Sequence, residues 1–222
     1  MTAPFDIITF DCYGTLIDWE RGIRHAFLRA AAEEGMRIAE GRIIAAFAAV
    51  EPVVEREGYR LYREVLAETA RRAAWSLGWH LTPEQAGFLA ASLPSWPPFD
   101  DTDAALERLQ GAGISLGILS NVDEDLLAAT RRHFRAGFEI VVTAEQVRSY
   151  KPAPAHFLAA RERIGRRRWL HAAQSNFHDI VPANALGIPT AWINRKGEAP
   201  LAGGEPSLHV RTLSELADRL AP

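Results

Sequence analysis

An aspartate stands directly after an apolar run near the start of the chain, where its carboxylate could act as a nucleophile. The run at residues 7–10 is β-branched and aromatic and predicts a buried strand, and Gly14 and Thr15 predict a loop at its carboxyl end. An unpaired charge beside a core strand costs free energy, so a carboxylate at this place needs a reason. We interpret Asp11 as a nucleophile. The alternative is a helix cap or turn former, as Asp after a strand often is.

Three further polar residues follow other predicted strands. Ser120 ends the run 115–119, Lys151 lies in the loop after the stretch 138–143, and Asp179 comes shortly after the run 169–173. Parallel strands present their carboxyl ends at one edge of a sheet, and ligands bind at that edge in open α/β sheets. The sequence therefore predicts that Asp11 and these three residues converge on one site.

Helical and strand patterns alternate from residue 103 onward. The predicted strands are 115–119, 138–143, 169–173 and 190–193, and the predicted helices are 103–112, 124–134, 155–164 and 180–186. Such alternation predicts an α/β fold with a doubly wound parallel sheet covered by helices on both faces.

The segment between the first strand and this alternation carries helical patterns alone. Apolar residues recur at three- and four-residue spacing in 18–34, 40–57, 59–76 and 83–92, and three prolines then break the helix before residue 99. We therefore predict two domains: an α/β catalytic core built from residues 1–16 and 98–222, and a helical-bundle cap inserted at 17–97.

The composition and charge of the chain limit the classes of partner that it can bind. The 222 residues are 48% hydrophobic and 24% charged, which is ordinary for a globular protein with a sizeable core. A net charge of -3 provides no electrostatic footprint for nucleic acid, and no stretch approaches the length of a membrane span. The chain shows no signal-peptide pattern, and its one cysteine, Cys12, fits a reducing compartment. We expect a cytoplasmic protein with a small-molecule substrate, and neither nucleic acid nor membrane as a partner.

Four ordered stretches together resemble the motifs of the haloacid dehalogenase superfamily, and the resemblance covers essentially the whole chain. They are Phe10-Asp11-Cys12-Tyr13-Gly14-Thr15-Leu16, Ile118-Leu119-Ser120-Asn121, Tyr150-Lys151-Pro152 and Ala173-Gln174-Ser175-Asn176-Phe177-His178-Asp179. Each is a weak signal alone, and four in the right order are a strong one. The resemblance implies the same α/β core with an inserted helical cap.

The resemblance also implies roles for the motif residues. Asp11 would form a covalent intermediate, Lys151 would keep it ionised, Thr15 would hydrogen-bond Asp11 or the substrate, and Asp179 would position or deprotonate the hydrolytic water. The residues expected to contact a small anionic substrate are Cys12, Tyr13, Ser120, Asn121, Ser175 and Asn176.

Two positions favour the type II 2-haloacid dehalogenase branch. Phosphatases of the superfamily usually have a second Asp two residues after the nucleophile, which protonates the leaving alkoxide, and this chain has Tyr13. A halide leaves without a proton, so carbon–halide cleavage tolerates the loss of that acid. Ser175 likewise stands where phosphatases place an Asp. The predicted reaction is hydrolytic dehalogenation of a small 2-haloalkanoic acid to the 2-hydroxy acid, without a cofactor or metal.

The alternative enzyme is a magnesium-dependent phosphatase of a small phosphorylated metabolite, with Asp11 and Asp179 as the metal ligands. A third possibility is an idle relative that binds an anion without turnover. The apolar faces of the predicted cap helices could also provide the surface of a homodimer.

Two departures bear on the dehalogenase prediction. Dehalogenases of this type have a halide-binding arginine on the first long cap helix, whereas the corresponding region here holds Phe47 and Ala48. They also have a tyrosine shortly after the third-motif lysine, and this chain has Phe157. The cap residues that could replace the arginine are Arg21, Arg42, Arg56, Arg60 and Arg63.

Overall fold

Six parallel strands form one sheet. They are β1 (Ile7–Phe10), β2 (Ser115–Ser120), β3 (Ile140–Thr143), β4 (Trp169–Ala173), β5 (Thr190–Ile193) and β6 (Leu208–Val210). The structure is a computed structural model that describes residues 4–221. The strands lie in the order β3-β2-β1-β4-β5-β6, so β1 is paired with β2 on one side and β4 on the other. The predicted doubly wound parallel α/β fold is confirmed.

The centre of the sheet is closely packed around Thr9. Thr9 lies opposite Gly117 on β2 and opposite His171 on β4. A Cβ atom on Gly117 would lie 3.0 Å from the carbonyl oxygen of Ile140 and 3.1 Å from the Thr9 methyl carbon. Glycine at this position therefore leaves room for the Thr9 side chain.

The connections are mostly helical. The α-helices are α1 (Trp19–Glu33), α2 (Glu40–Arg56), α3 (Tyr62–Ser76), α4 (Phe88–Ser92), α5 (Thr102–Gly111), α6 (Glu124–Thr130), α7 (Ala144–Val147), α8 (Ala155–Ile164), α9 (Val181–Ala185) and α10 (Leu213–Leu220). Residues Asn176–Ile180 form a π-helical turn between β4 and α9. Turns of this kind are rare and are frequently found at functional sites.

The chain divides into two compact units. The sheet unit comprises Met1–Ile17, Pro98–Asn121 and Arg132–Pro222, and the helical unit comprises Asp18–Pro97 and Val122–Arg131. The prediction placed residues 122–131 in the α/β core, and the structure groups them with the inserted helices.

A capping contact joins residues 122–131 to the inserted helices. The buried carboxylate of Asp123 accepts hydrogen bonds from the backbone N–H groups of Tyr62 at 2.6 Å and Arg63 at 3.1 Å, which begin α3. The Arg63 guanidinium also donates to Asp123 at 2.8 Å. Asp123 thus satisfies helix N–H groups that have no partner inside the helix.

An aromatic cluster packs within the helical unit. The Phe27 ring forms T-shaped pairs with Trp79 and Phe88 at centroid distances of 6.4 and 5.1 Å. Gly22 on α1 lies so close to Trp96 that a Cβ atom would come within 2.2 Å of the indole. This contact requires glycine at position 22.

Some element boundaries differ from the predicted ones. The predicted helix 59–76 begins at Tyr62, and the predicted helix 124–134 leaves α-geometry after Thr130. Strand β6 and helix α10 were not predicted at all; β6 has three residues at the sheet edge and too short a pattern to detect. Within residues 4–221, no helix combines the length and the apolar character needed to cross a membrane.

Candidate active site

Three of the four predicted strand-end residues are in direct contact. Asp11 follows β1, Lys151 precedes α8, and Asp179 lies in the π-helical turn after β4. The Lys151 ammonium donates to Asp11 Oδ1 at 2.9 Å and to Asp179 Oδ1 at 2.6 Å. Its third hydrogen bond goes to the carbonyl oxygen of Leu119 at 2.9 Å, so all three of its protons are used. The predicted convergence of these residues at one sheet edge is present in the structure.

Burial and charge act in opposite directions on these groups. Burial raises the pKa of Asp11 above its ordinary value of 3.8, although the charge of Lys151 opposes the shift. Burial acts on Asp179 in the same sense, but the charge of Lys151 and the hydrogen bond from His171 outweigh it, so the pKa of Asp179 lies well below its usual range. The two carboxylates likewise overcome desolvation and raise the pKa of Lys151. Asp179 and Lys151 therefore form an ion pair beside Asp11.

Thr15 holds the second oxygen of Asp11. Its hydroxyl donates to Asp11 Oδ2 at 3.0 Å and accepts the backbone N–H of Gln174 at 2.9 Å. The carbonyl oxygen of Thr15 accepts from the Arg195 guanidinium at 3.1 Å, and Arg195 is itself bound to Asp101. Both oxygens of Asp11 thus accept a hydrogen bond, and the loop that carries it is fixed from two directions.

Ser120 has a hydroxyl without a hydrogen bond. Its side chain is completely buried at the end of β2, and its Oγ finds no partner among residues 4–221. The Ser120 carbonyl oxygen, in contrast, lies 3.1 Å from His156 Nε2. A buried hydroxyl that is not hydrogen-bonded is costly, and at the ligand-binding edge of a sheet it is a natural place for a substrate contact.

The predicted substrate contact Asn121 serves the protein itself. Its side-chain amide donates to the Lys151 carbonyl at 3.1 Å and accepts the Lys151 backbone N–H at 2.7 Å. This paired contact places the backbone from which the Lys151 side chain extends. Substrate binding by Asn121 stays a prediction.

Ser175 and Asn176 are also bonded within the sheet unit. Ser175 Oγ accepts the backbone N–H of His178 at 3.0 Å and so caps the π-helical turn. The Asn176 amide donates to the Gly204 carbonyl at 2.8 Å and accepts the Leu201 N–H at 3.0 Å. Their predicted contacts with substrate are untested, and the structure shows both shaping the loops around Asp179.

The two residues after Asp11 have different environments. Cys12 is completely buried, and burial raises the pKa of its thiol well above the ordinary value, so it is no thiolate nucleophile. Tyr13 is half-buried and forms a backbone bridge with Ile17. Neither supplies a carboxylic acid at the position where the phosphatases of the family have one.

Sequence reasoning missed His171 and Thr9. His171 lies in the middle of β4, with Nε2 at 3.0 Å from Asp179 Oδ1 and Nδ1 at 2.9 Å from Thr9 Oγ1. The detectable signal was a pair of polar residues inside otherwise apolar strands. Phe157, at the position of the expected tyrosine, is fully buried with its ring edge-on to His171 at 5.1 Å.

The arginines considered as substitutes for the halide ligand have partners inside the helical unit in three cases. Arg63 binds Asp123 and Asp125, Arg60 binds Glu57 at 3.2 Å, and Arg42 donates to the Ser76 carbonyl at 3.3 Å. For Arg21 and Arg56, replacement of the halide-binding arginine stays a prediction.

The arrangement of potential metal ligands within residues 4–221 does not form a cluster. In the described part of the chain, no three His, Cys, Asp or Glu side chains are grouped closely enough to hold an ion. The group that bridges Asp11 and Asp179 is the ammonium of Lys151.

Fold and site together define an α/β protein with a lysine-bridged carboxylate pair at the carboxyl edge of a parallel sheet. The model of the haloacid dehalogenase-like hydrolases matches residues 5–174. The chain belongs to this hydrolase family.

Known proteins resemble this chain over nearly their full length. The (S)-2-haloacid dehalogenase H-109 of Pseudomonas putida is 28% identical, with 98% of each chain covered. The crystal structure of a defluorinating L-2-haloacid dehalogenase superposes with a TM-score of 0.84 at 20% identity, covering 100% of this chain and 99% of the other. A Xanthobacter autotrophicus L-2-haloacid dehalogenase with chloropropionic acid covalently bound gives 0.78 at 19% identity, covering 96% and 97%. The two structural likenesses confirm the fold.

Proposed function

We propose that this protein is a 2-haloacid dehalogenase that converts a small (S)-2-haloalkanoate to the 2-hydroxy acid. The observation that carries the proposal is a buried carboxylate, Asp11, held by Lys151 and Thr15, with Tyr13 in place of the acid that phosphate-ester cleavage needs. The curated relative named above supports the substrate class and the (S) configuration.

The first step is a displacement at carbon. An oxygen of Asp11 attacks C2 of the substrate from the side opposite the halogen, the C–O bond forms, and the halide leaves with the bonding electron pair. The product is an ester between Asp11 and the 2-hydroxy acid carbon skeleton, inverted at C2. The hydrogen bonds to both Asp11 oxygens fix the direction of attack, which lowers the entropic part of the barrier.

The second step is hydrolysis of this ester. Water attacks the Asp11 carbonyl carbon while Asp179 accepts one of its protons. The bond from the carbonyl carbon to the substrate oxygen then breaks, and the leaving alkoxide takes a proton back from Asp179. Asp11 regains a carboxylate with one oxygen from water. The net products are the (R)-2-hydroxy acid, a halide ion and one proton.

Ser120 is the proposed ligand of the substrate carboxylate. Its buried Oγ has no protein partner within residues 4–221, and a hydroxyl donor suits a carboxylate. Binding a substrate there would satisfy a group that is otherwise left without a hydrogen bond.

No metal is proposed for the reaction. The cation between the two carboxylates is Lys151 itself, which neutralises the charge that a magnesium ion would otherwise balance. The chemistry written above requires no Lewis acid, because the halide leaves as a stable anion.

A substrate panel tests the proposal. Purified protein is incubated with (S)- and (R)-2-chloropropionate, and with phosphate esters, in EDTA or in magnesium, while halide and phosphate are measured. We expect chloride from the (S) enantiomer in EDTA, and none from the Asp11→Asn variant. Magnesium-dependent phosphate release without chloride would establish the phosphatase instead, and full activity of Asp11→Asn would exclude the covalent mechanism.

Three finer predictions accompany this function. They are a cytoplasmic location, a capping role for the helical unit, and a homodimer. The single buried thiol of Cys12 supports the first, since it suits a reducing compartment. Light scattering of the purified protein tests the third, and a monomer at working concentration would contradict it.

A further inference from the structure

A histidine without an assigned role lies inside the sheet, behind the candidate active site. His171 is the third residue of β4, its side chain is completely buried, and it stands opposite Thr9 on β1. Polar side chains in a sheet core cost free energy unless every polar atom is paired. Both ring nitrogens of His171 are in fact paired, which makes the ring part of a network.

The network runs from the sheet core to the candidate active site. The indole N–H of Trp169 donates to Thr9 Oγ1 at 2.7 Å, Thr9 Oγ1 lies 2.9 Å from His171 Nδ1, and His171 Nε2 lies 3.0 Å from Asp179 Oδ1. Asp179 is the carboxylate that also binds Lys151. His171 therefore contacts Asp179, the residue proposed to activate water. Asp179 in turn links His171 to the Asp11–Lys151 pair.

The chemistry of the partners orients each bond. An ionised Asp179 can only accept, so Nε2 of His171 carries the proton that is donated to it. A ring protonated on Nε2 alone has Nδ1 as an acceptor, and the Thr9 hydroxyl, which accepts from Trp169, can donate to it. Asp179 thus selects the tautomer with its proton on Nε2, and Thr9 provides the matching donor for Nδ1.

The ring has little freedom to rotate. Phe157 is completely buried and meets His171 edge-on, with ring planes at 90° and centroids 5.1 Å apart. Gly117 allows Thr9 its place on the other side. Packing and hydrogen bonds together hold the Nε2–H vector on Asp179.

The geometry points to His171 as a positioning residue for Asp179. Its Nε2–H and the Lys151 ammonium both end on Oδ1, so they fix the rotation of the carboxylate and leave Oδ2 for the attacking water. This inference rests on the proposed dehalogenase function. It assigns His171, through Asp179, to hydrolysis of the ester, whereas alkylation of Asp11 depends on Lys151 and Thr15.

Single-turnover kinetics separate the two steps. Enzyme in excess is mixed with (S)-2-chloropropionate and quenched at intervals. Chloride reports the first step, the hydroxy acid reports the second, and the mass of the intact protein reports the ester between them. Three variants are compared with wild type: His171→Phe, which keeps a ring without a donor; His171→Gln, which keeps an N–H near the Nε2 position; and Thr9→Val, which removes the hydroxyl bonded to Nδ1.

His156→Phe is the matched control. It replaces another fully buried histidine of the same unit, but one that bonds the Ser120 carbonyl and not Asp179. Any general effect of introducing Phe for a buried His should appear in both variants. Accumulation of the ester should appear in His171→Phe alone.

We expect hydroxy acid release in His171→Phe to slow by about 10- to 100-fold, the range found when partners that orient metal-ligating side chains are removed, while chloride release changes little. The ester should then be visible by mass, His171→Gln should restore part of the hydrolysis rate, and Thr9→Val should show the same defect more weakly. If His171→Phe does not fold, His171→Gln and Thr9→Val still provide the test. Chloride and hydroxy acid release slowing together in these variants would overturn the inference. Absence of both chloride and ester in wild type would overturn the proposed function and the inference with it.

Discussion

The side-chain amide of Asn121 hydrogen-bonds both backbone polar groups of Lys151. The Nδ2 group donates to the Lys151 carbonyl at 3.1 Å, and Oδ1 accepts the Lys151 N–H at 2.7 Å. The end of β2 and the loop before α8 are thereby joined at the residue whose ammonium bridges Asp11 and Asp179. The position of that ammonium depends on an amide that has no need to touch the substrate.

Replacing Asn121 with Ala should reduce turnover by displacing Lys151. We expect kcat to fall by about 100-fold, since displacing a catalytic group by about 1 Å has effects of this size. Asn184→Ala is the control, because the Asn184 amide also bonds loop carbonyls in the sheet unit, at Gly203 and Glu205. Steady-state kinetics of the two variants decide the matter, and equal losses would contradict a specific role for Asn121.

Replacing Ser120 with Ala should separate stability from binding. The Ser120 hydroxyl is buried without a partner in the described chain, so removing it should stabilise the protein by about 1 kcal/mol, the cost of an unsatisfied hydroxyl. KM for the haloacid should rise because the proposed carboxylate ligand is lost. Urea unfolding and steady-state kinetics measure the two effects. A destabilised variant with unchanged KM would show that the hydroxyl serves the fold instead.

The acid limb of the activity profile should reflect Asp11. The nucleophile must be ionised, and burial raises its pKa above 3.8, so kcat/KM should fall with decreasing pH at values above that of a free aspartate. Thr15→Val removes a hydrogen bond that favours the ionised form and should move the limb to still higher pH. The profile of kcat/KM against pH tests this, and a limb at or below 3.8 would be inconsistent with a buried nucleophile.

His156 should make the fold sensitive to acid. Burial lowers its pKa to about 3, below the usual 6.5, so between these values the unfolded chain binds a proton that the folded one does not. Stability is therefore complete above about pH 6.5 and falls by up to about 1.4 kcal/mol for each pH unit below it. His156→Gln keeps a donor for the Ser120 carbonyl and should flatten the slope by about one proton. Urea unfolding at pH 4.5, 5.5 and 6.5 measures it; an unchanged slope would refute the assignment.

Local sequence patterns were sufficient to predict the parallel sheet and to single out Asp11 as the candidate nucleophile. Strand β1 followed by Asp11 could be identified because a short run of apolar residues predicts a buried strand. The parallel topology follows from the alternation of strand and helix. That topology alone places Asp11, Lys151 and Asp179 at one edge. Strand β6 escaped detection because three residues at a sheet edge carry too little pattern.

The partners of individual side chains were decided by tertiary structure. Asn121 and Asn176 have polar groups that suit a ligand, yet they bond backbone groups of Lys151 and Gly204, at 30 and 28 residues' distance in the chain. Thr9 and His171 meet across 162 residues. Sequence determined the family and the order of the predicted elements, and it singled out Asp11 as the candidate nucleophile, since these depend on residue types and local spacing. Only the folded chain shows which polar groups are already satisfied and which, like Ser120 Oγ, have no partner within residues 4–221, because hydrogen-bond partners are set by register and packing between distant segments.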